Sequence, residues 1–190
     1  MARAELIRAI WADPGLRAAT GLSFLLGAAA CSLGPYVAQL AVETFRLGDR
    51  GYAGLLALTT LVSVGAALWV GIRSDQTGRR RGLALWAAGL MVAGSGLMTV
   101  VPAPASFVLA HGLILPASSL FGQIFALGRI AAQAQPEPIR QALPAVIRAL
   151  FALPYVAVLP LWSLAFAKGA QILSIYPVGL ALTVLMLVVT

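Results

Sequence analysis

Apolar residues fall into six long runs along the chain, separated by short polar breaks. A helix that crosses a bilayer needs about 20 mostly apolar residues. The runs that meet this requirement lie near 17–39, 52–72, 82–101, 107–127, 143–166 and 171–189. They predict an all-α integral membrane protein, a single six-helix unit over residues 1–190 with nearly the whole chain inside the bilayer. Small residues recur within the runs, as in GLSFLLGAAACSLG, GAALWVG and AAGLMVAGSG. In lipid no hydrophobic drive brings helices together, and small residues let their backbones approach closely instead. Dense helix packing is therefore expected. Pro35, Pro116, Pro154, Pro160 and Pro177 lie inside four of the runs, where each removes a backbone donor. They are either simply tolerated or mark bent helices around a cavity.

Composition agrees with the pattern: of 190 residues, 61% are hydrophobic and only 10% are charged. That is outside the range of an ordinary water-soluble domain. The net charge of +7, from 13 basic and 6 acidic residues, would suggest nucleic acid in a soluble protein. Here the basic residues flank apolar runs, so membrane lipid is the expected neighbour and nucleic acid is not. The breaks AVETFRLGDRG and PAPAS, and the turn holding Lys168, are poor in net positive charge. Arg3, Arg8, Arg17, Arg73, Arg79, Arg80, Arg81, Arg129 and Arg140 all fall on the other side. The positive-inside rule then puts both termini in the cytoplasm, as in a multi-pass inner-membrane protein. No small-residue cleavage pattern follows the first run, which is read as a retained span.

Catalytic and metal chemistry finds little support in these residues. Cys31 is the single cysteine, so it forms no internal disulfide and no cysteine-based metal site, and it reads as a packing residue. No metal or cofactor is expected. An intramembrane serine protease needs its serine in a G-x-S-G context, and Ala93-Gly94-Ser95-Gly96 lacks the first glycine. The only histidine, His111, starts the fourth run on the outer side and reads as a polar boundary residue rather than a proton carrier. An enzyme is not expected.

The most distinctive polar stretch is GIRSDQTGRRR, Gly71 to Arg81, between the second and third runs. Gly71, Asp75, Gly78, Arg79, Arg80 and Arg81 match, in residues and in placement, a loop of the form G-x-x-x-D-R/K-x-G-R-R/K-R/K, with Gln76 where a basic residue is usual. The stretch resembles the signature loop of the major facilitator superfamily. Glycine near the helix end permits close backbone approach, and glycine in the turn permits positive φ. Asp75 is suited to accept hydrogen bonds from arginine or from a helix N-terminus. The resemblance implies a gating latch that holds two halves of a transporter together when the cytoplasmic side is closed. Within the superfamily, ALWVGIRSDQTGRRR, the Pro35 region, QIFALGR and AVIRAL with VLPLW are similar to the sugar efflux transporter (Set) family.

That resemblance implies an N-terminal six-helix half of a facilitator fold, with export of sugars or related small molecules by alternating access. A C-terminal six-helix half or a homodimer partner would complete it. A drug exporter of the same superfamily is one alternative, and a non-transporting subunit that stabilises or regulates a partner is another. Arg148 is the most informative single residue, because a charge inside a span costs on the order of 3 kcal/mol unless it faces partners or water. It either faces a cavity and binds substrate or snorkels to headgroups. Arg129 resembles the cytoplasmic end of the family's fourth span and is expected either to pair with Asp75 or Glu137 or to snorkel. Gln39, Gln123 and Tyr155 are cavity candidates, since a sugar site needs a few hydrogen-bonding groups among apolar walls. Ser63 and Ser119 offer similar groups, and no embedded carboxylate suited to proton coupling is evident.

Overall fold

In a computed structural model the described residues, all except Met1, Ala2, Gly78, Arg79 and Ser119, form helices joined by short turns. The side chains of Arg3, Thr77, Arg80, Arg81 and Leu120 are also outside the description. A short helix, α1 (Arg3–Ala12), precedes six segments long and apolar enough to cross a bilayer. These are α2 (Pro14–Thr44), α3 (Gly48–Gln76), α4 (Gly82–Val100), α5 (Pro104–Ala132), α6 (Glu137–Ala167) and α7 (Ile172–Val189). Four of them extend well beyond the apolar runs, because hydropathy does not register helix turns that carry polar residues at their ends.

Local chemistry accounts for the ends. Asp13 caps α2: its Oδ1 accepts from the Gly15 and Leu16 amides at 2.8 and 3.1 Å, and Pro14 occupies the first turn where no amide is needed. At the end of α6, Gly169 takes φ +91°. The Gly169 amide donates to Phe166 O at 2.9 Å and that of Ala170 to Ala165 O at 3.0 Å, which closes the helix and turns the chain into α7.

Proline acts differently in the two helices that hold it deepest. α6 contains Pro144, Pro154 and Pro160 and still runs as one helix. α5 instead widens into a π turn over Ala110–Ile114, where the Leu115 amide reaches back to Ala110 O. Continuing that pattern, His111 O would be paired with the amide of residue 116, which as proline has none. Thr59 of α3 supplies the missing donor, its Oγ1 lying 2.8 Å from His111 O. Thr59→Val is expected to cost about 1 kcal/mol, the scale of one interhelical hydrogen bond in a membrane protein. Thermal unfolding in detergent reads this, and an unchanged midpoint would show that the carbonyl is satisfied some other way.

Helix direction alternates, so one end of the bundle gathers the starts of α2, α4 and α6 and the ends of α3, α5 and α7. Gly15 and Ala131 adjoin there, and Gln135 Nε2 donates to Asp13 Oδ2 at 3.3 Å. Arg8, Arg17, Arg73, Arg129 and Arg140 belong to this end, called the basic end below. Trp11, Trp69 and Trp86 are exposed in the segments nearest it, as expected of rings at a membrane surface. The core has three parts along the bundle. Leu16, Ala132, Ile139 and Leu143 pack at the basic end, while Leu22, Leu26, Ala87, Met91, Ile124 and Ile147 fill the middle. Leu40, Phe45, Phe107, Trp162 and Tyr176 pack at the far end.

α2 is the central helix. Half of its apolar window is buried, against 11% for α3. It packs on α5, α6 and α7; α5 packs on α3 and α4 as well as on α2 and α6; α4 packs on α7. Ser23, Gly27 and Cys31, spaced at four residues and all buried, form a small-residue stripe on α2. Ser23 Oγ donates to Ile147 O at 2.6 Å, and farther along the same interface Trp162 Nε1 donates to Ser32 Oγ at 3.0 Å.

Candidate functional site: an aromatic and arginine row on α5 and α6

Phe121, Phe125 and Arg129 follow one another at four-residue spacing on α5, and Arg148, Phe151 and Tyr155 at three- and four-residue spacing on α6. Such spacings place each trio on one helix face, and α5 and α6 pack together so that the two faces meet. The rings form a continuous row. Phe121 lies 4.7 Å from Phe125 and 4.8 Å from Phe151, and Phe151 lies 6.0 Å from Tyr155. Arg148 Cζ sits 5.7 Å from the centroid of the Phe125 ring, within range of a cation–π contact. Phe121 and Arg148 are exposed, whereas Phe125, Phe151 and Tyr155 are half-buried.

This row offers two kinds of contact. Ring faces pack against C–H surfaces, and a guanidinium donates up to five hydrogen bonds in a fixed plane. The close approach of the helices beneath it depends on glycine: a Cβ at Gly128 would meet Ile147 Cδ1, and one at Gly27 would meet the Phe151 carbonyl. At the basic end of the row Arg129, Arg140 and Arg148 share the lining of a recess of about 70 Å³ with Phe125 and Ile147. A larger cavity, about 500 Å³, lies elsewhere, between α1, α2 and α6, and is lined mostly by apolar residues such as Ile10, Trp11, Phe24 and Leu150.

The structure gathers some of the sequence-derived site residues and scatters others. Arg148 and Tyr155 share the row. Gln39 is exposed at the far end of α2, where its Nε2 donates to Glu43 at 2.9 Å, away from the row. Gln123 is buried, and its Oε1 has no partner among the described residues. Ser63 is half-buried on α3, and Ser119 lies outside the described residues.

Arg129 is exposed beside the recess, and among the described residues neither Asp75 nor Glu137 lies within the 4.0 Å of an ion pair with it. Glu137 Oε1 instead accepts from Gln141 Nε2 at 3.0 Å. Asp75 is exposed in the last turns of α3. Nothing among the described residues lies within 4 Å of a Cβ added at Gly71. Gly78 and Arg79 are outside the described residues, as are the side chains of Arg80 and Arg81 at the start of the next helix.

His111 corrects an expectation. Rather than a polar boundary residue it is buried, 7% exposed, with its Nε2 3.0 Å from Tyr176 Oη on α7 and its ring 4.7 Å from that of Phe107. A lone histidine on an apolar helix tolerates this burial because Tyr176 satisfies it. The phenylalanines of the row were also not singled out in the sequence. Their four-residue spacing is legible there, but which helix faces they meet is not. No protein-family model matches the chain, and neither the curated proteins nor the solved structures contain a match to it.

Proposed function

We propose that the chain is one six-helix half of a major facilitator type transporter that moves sugars or related hydroxylated solutes by alternating access, with a second six-helix unit completing the pathway. The observation that carries this reading is an exchange symmetry in the packing. Interchanging the first three membrane segments with the last three turns the α2–α6 contact into α5–α3, α2–α7 into α5–α4 and α5–α6 into α2–α3, while α4–α7 and α2–α5 map onto themselves; only the slight α3–α4 contact lacks a comparable image. A three-plus-three repeat of this kind is how each half of a facilitator transporter is built.

Two further features support the reading. Arg148 and the ring row supply a mixed polar and apolar surface on two adjoining helices, suited to the hydroxyls and C–H face of a sugar. Asp75 is exposed at the end of α3, free of any ion pair among the described residues and open to a partner at the same loop. On this reading the basic end faces the cytoplasm, with both termini there.

The test is efflux of a labelled glucoside or galactoside from cells expressing the chain, alone and together with a six-helix second half, each compared with Asp75→Ala. The expected result is export that requires the partner and falls at least about tenfold in the variant, the effect of losing a charged hydrogen bond of about 1.5–3 kcal/mol. Export absent in both settings, with both proteins shown to be in the membrane, would sink the transport reading. The chain would then be a membrane subunit that acts on its partner's stability.

A further inference from the structure

Three arginines line one recess at the basic end: Arg129 from the last turn of α5, and Arg140 and Arg148 from α6. Arginine is always charged, and like charges gathered at one recess repel, the more so where its walls keep water out, unless an anion lies among them. The protein does not provide that anion. Among the described residues no carboxylate lies within 4.0 Å of any of the three guanidinium groups. Two acids at this end of the bundle have partners of their own: Glu137 accepts from Gln141, and Asp13 accepts from the α2 amides and from Gln135. The remaining walls include Phe125, Gly128 and Ile147, which leave the guanidinium N–H groups as the recess's charged donors.

We propose that the Arg129, Arg140 and Arg148 recess binds a phosphate group. A tetrahedral anion offers several acceptor oxygens, and the planar fork of arginine engages two of them at once. The recess, about 70 Å³, holds one such group and leaves the rest of its molecule outside. It opens at the end of the bundle that carries most of the chain's arginines, and basic pockets between membrane helices at such a surface take anionic headgroups. The phosphate is thus carried either by an anionic lipid or by a soluble ion, and binding is read without any transport.

The experiment uses the full chain purified in detergent and in nanodiscs, with Arg129→Gln, Arg140→Gln and Arg140→Lys. One arm supplies phosphatidylglycerol in nanodiscs otherwise made of phosphatidylcholine, and native mass spectrometry counts the anionic lipid retained. The other arm titrates inorganic phosphate in detergent and follows thermal unfolding.

Saturable binding in either arm, weakened at least tenfold by each glutamine variant and less by Arg140→Lys, is the expected result. Binding confined to the lipid arm assigns a headgroup site, and binding of inorganic phosphate assigns a site for a soluble phosphate. All three arginines are exposed, so without ligand the glutamine variants should unfold at the wild-type midpoint or slightly above it, since one of three repelling charges is gone. Equal binding by wild type and both glutamine variants, or none in either arm, overturns the proposal. Because binding is read without transport, either failure leaves the transport reading standing, and a transport failure leaves this one.

Discussion

Gly27→Leu is expected to abolish the folded bundle. Gly27 is buried where α2 crosses α6, and even a Cβ at this position would collide with the Phe151 carbonyl oxygen while lying 2.9 Å from its carbon and 3.1 Å from its Cα. The obstacle is helix backbone, which cannot rotate away as a side chain can. Relief requires α2 and α6 to separate. Separation would also break the Ser23–Ile147 and Ser32–Trp162 hydrogen bonds, which bracket the crossing.

Overpacking alone costs about 1–3 kcal/mol, and the two interhelical hydrogen bonds add about 0.6 kcal/mol each. With a whole leucine at a backbone contact, the total should exceed about 3 kcal/mol, a large share of the 5–15 kcal/mol typical of a folded protein. The expected readout is loss of the monodisperse peak on size exclusion in detergent, with Gly27→Ala retaining a peak but unfolding at a lower temperature. Gly21→Ala is the control. On the same helix, a Cβ there meets nothing within 4 Å, and the change should fall within about 0.5 kcal/mol of wild type. A Gly27→Leu protein that behaves like the control would mean that the α2–α6 contact is not as close as described.

Arg148→Ala is expected to cut transport about 10- to 100-fold while leaving the protein folded, an effect that rests on the proposed transport function. The side chain is exposed and rests on Phe125, so truncating it removes donors from the row without opening the core. One hydrogen bond from a charged group is worth about 1.5–3 kcal/mol, which converts to that range of rate. Arg148→Lys keeps the charge and loses the planar stacking, so it should recover only part of the activity. The measurement is the initial rate of labelled glucoside efflux in the presence of the second half, with membrane content and unfolding temperature recorded for each variant. Wild-type efflux from a folded Arg148→Ala protein would take Arg148 and its row out of the substrate path.

How much of this was legible beforehand differs from feature to feature. The six membrane segments followed from apolar runs, because a bilayer demands about 20 apolar residues per crossing whatever the fold. The small-residue stripe Ser23, Gly27, Cys31 was visible as part of a glycine- and alanine-rich stretch, and its role as a contact was expected in kind. Its partner on α6 was not. His111 went astray for a related reason: a histidine near the end of an apolar run reads as a boundary residue, and only the position of Tyr176, 65 residues later, reveals its buried hydrogen bond. Gln39 and Tyr155 looked equivalent as polar groups in apolar helices, yet one pairs with Glu43 at the far end and the other joins the ring row.

The sequence alone determined that the chain forms six helices long and apolar enough to cross a membrane, where each begins and ends to within about two turns, and that positive charge collects at one end. These are local properties, since each helix satisfies its own backbone and each crossing is set by its own apolar length. Only the tertiary structure decided that α2 is central, that α5 and α6 bring Phe121, Phe125, Phe151 and Arg148 into one row, and that three arginines share a recess. Helices that are apolar on most sides carry no strong face preference in lipid, so their rotation and neighbours are chosen by close packing at glycine, serine and alanine. That choice depends on shape across pairs of helices far apart in the chain, and no single stretch contains it.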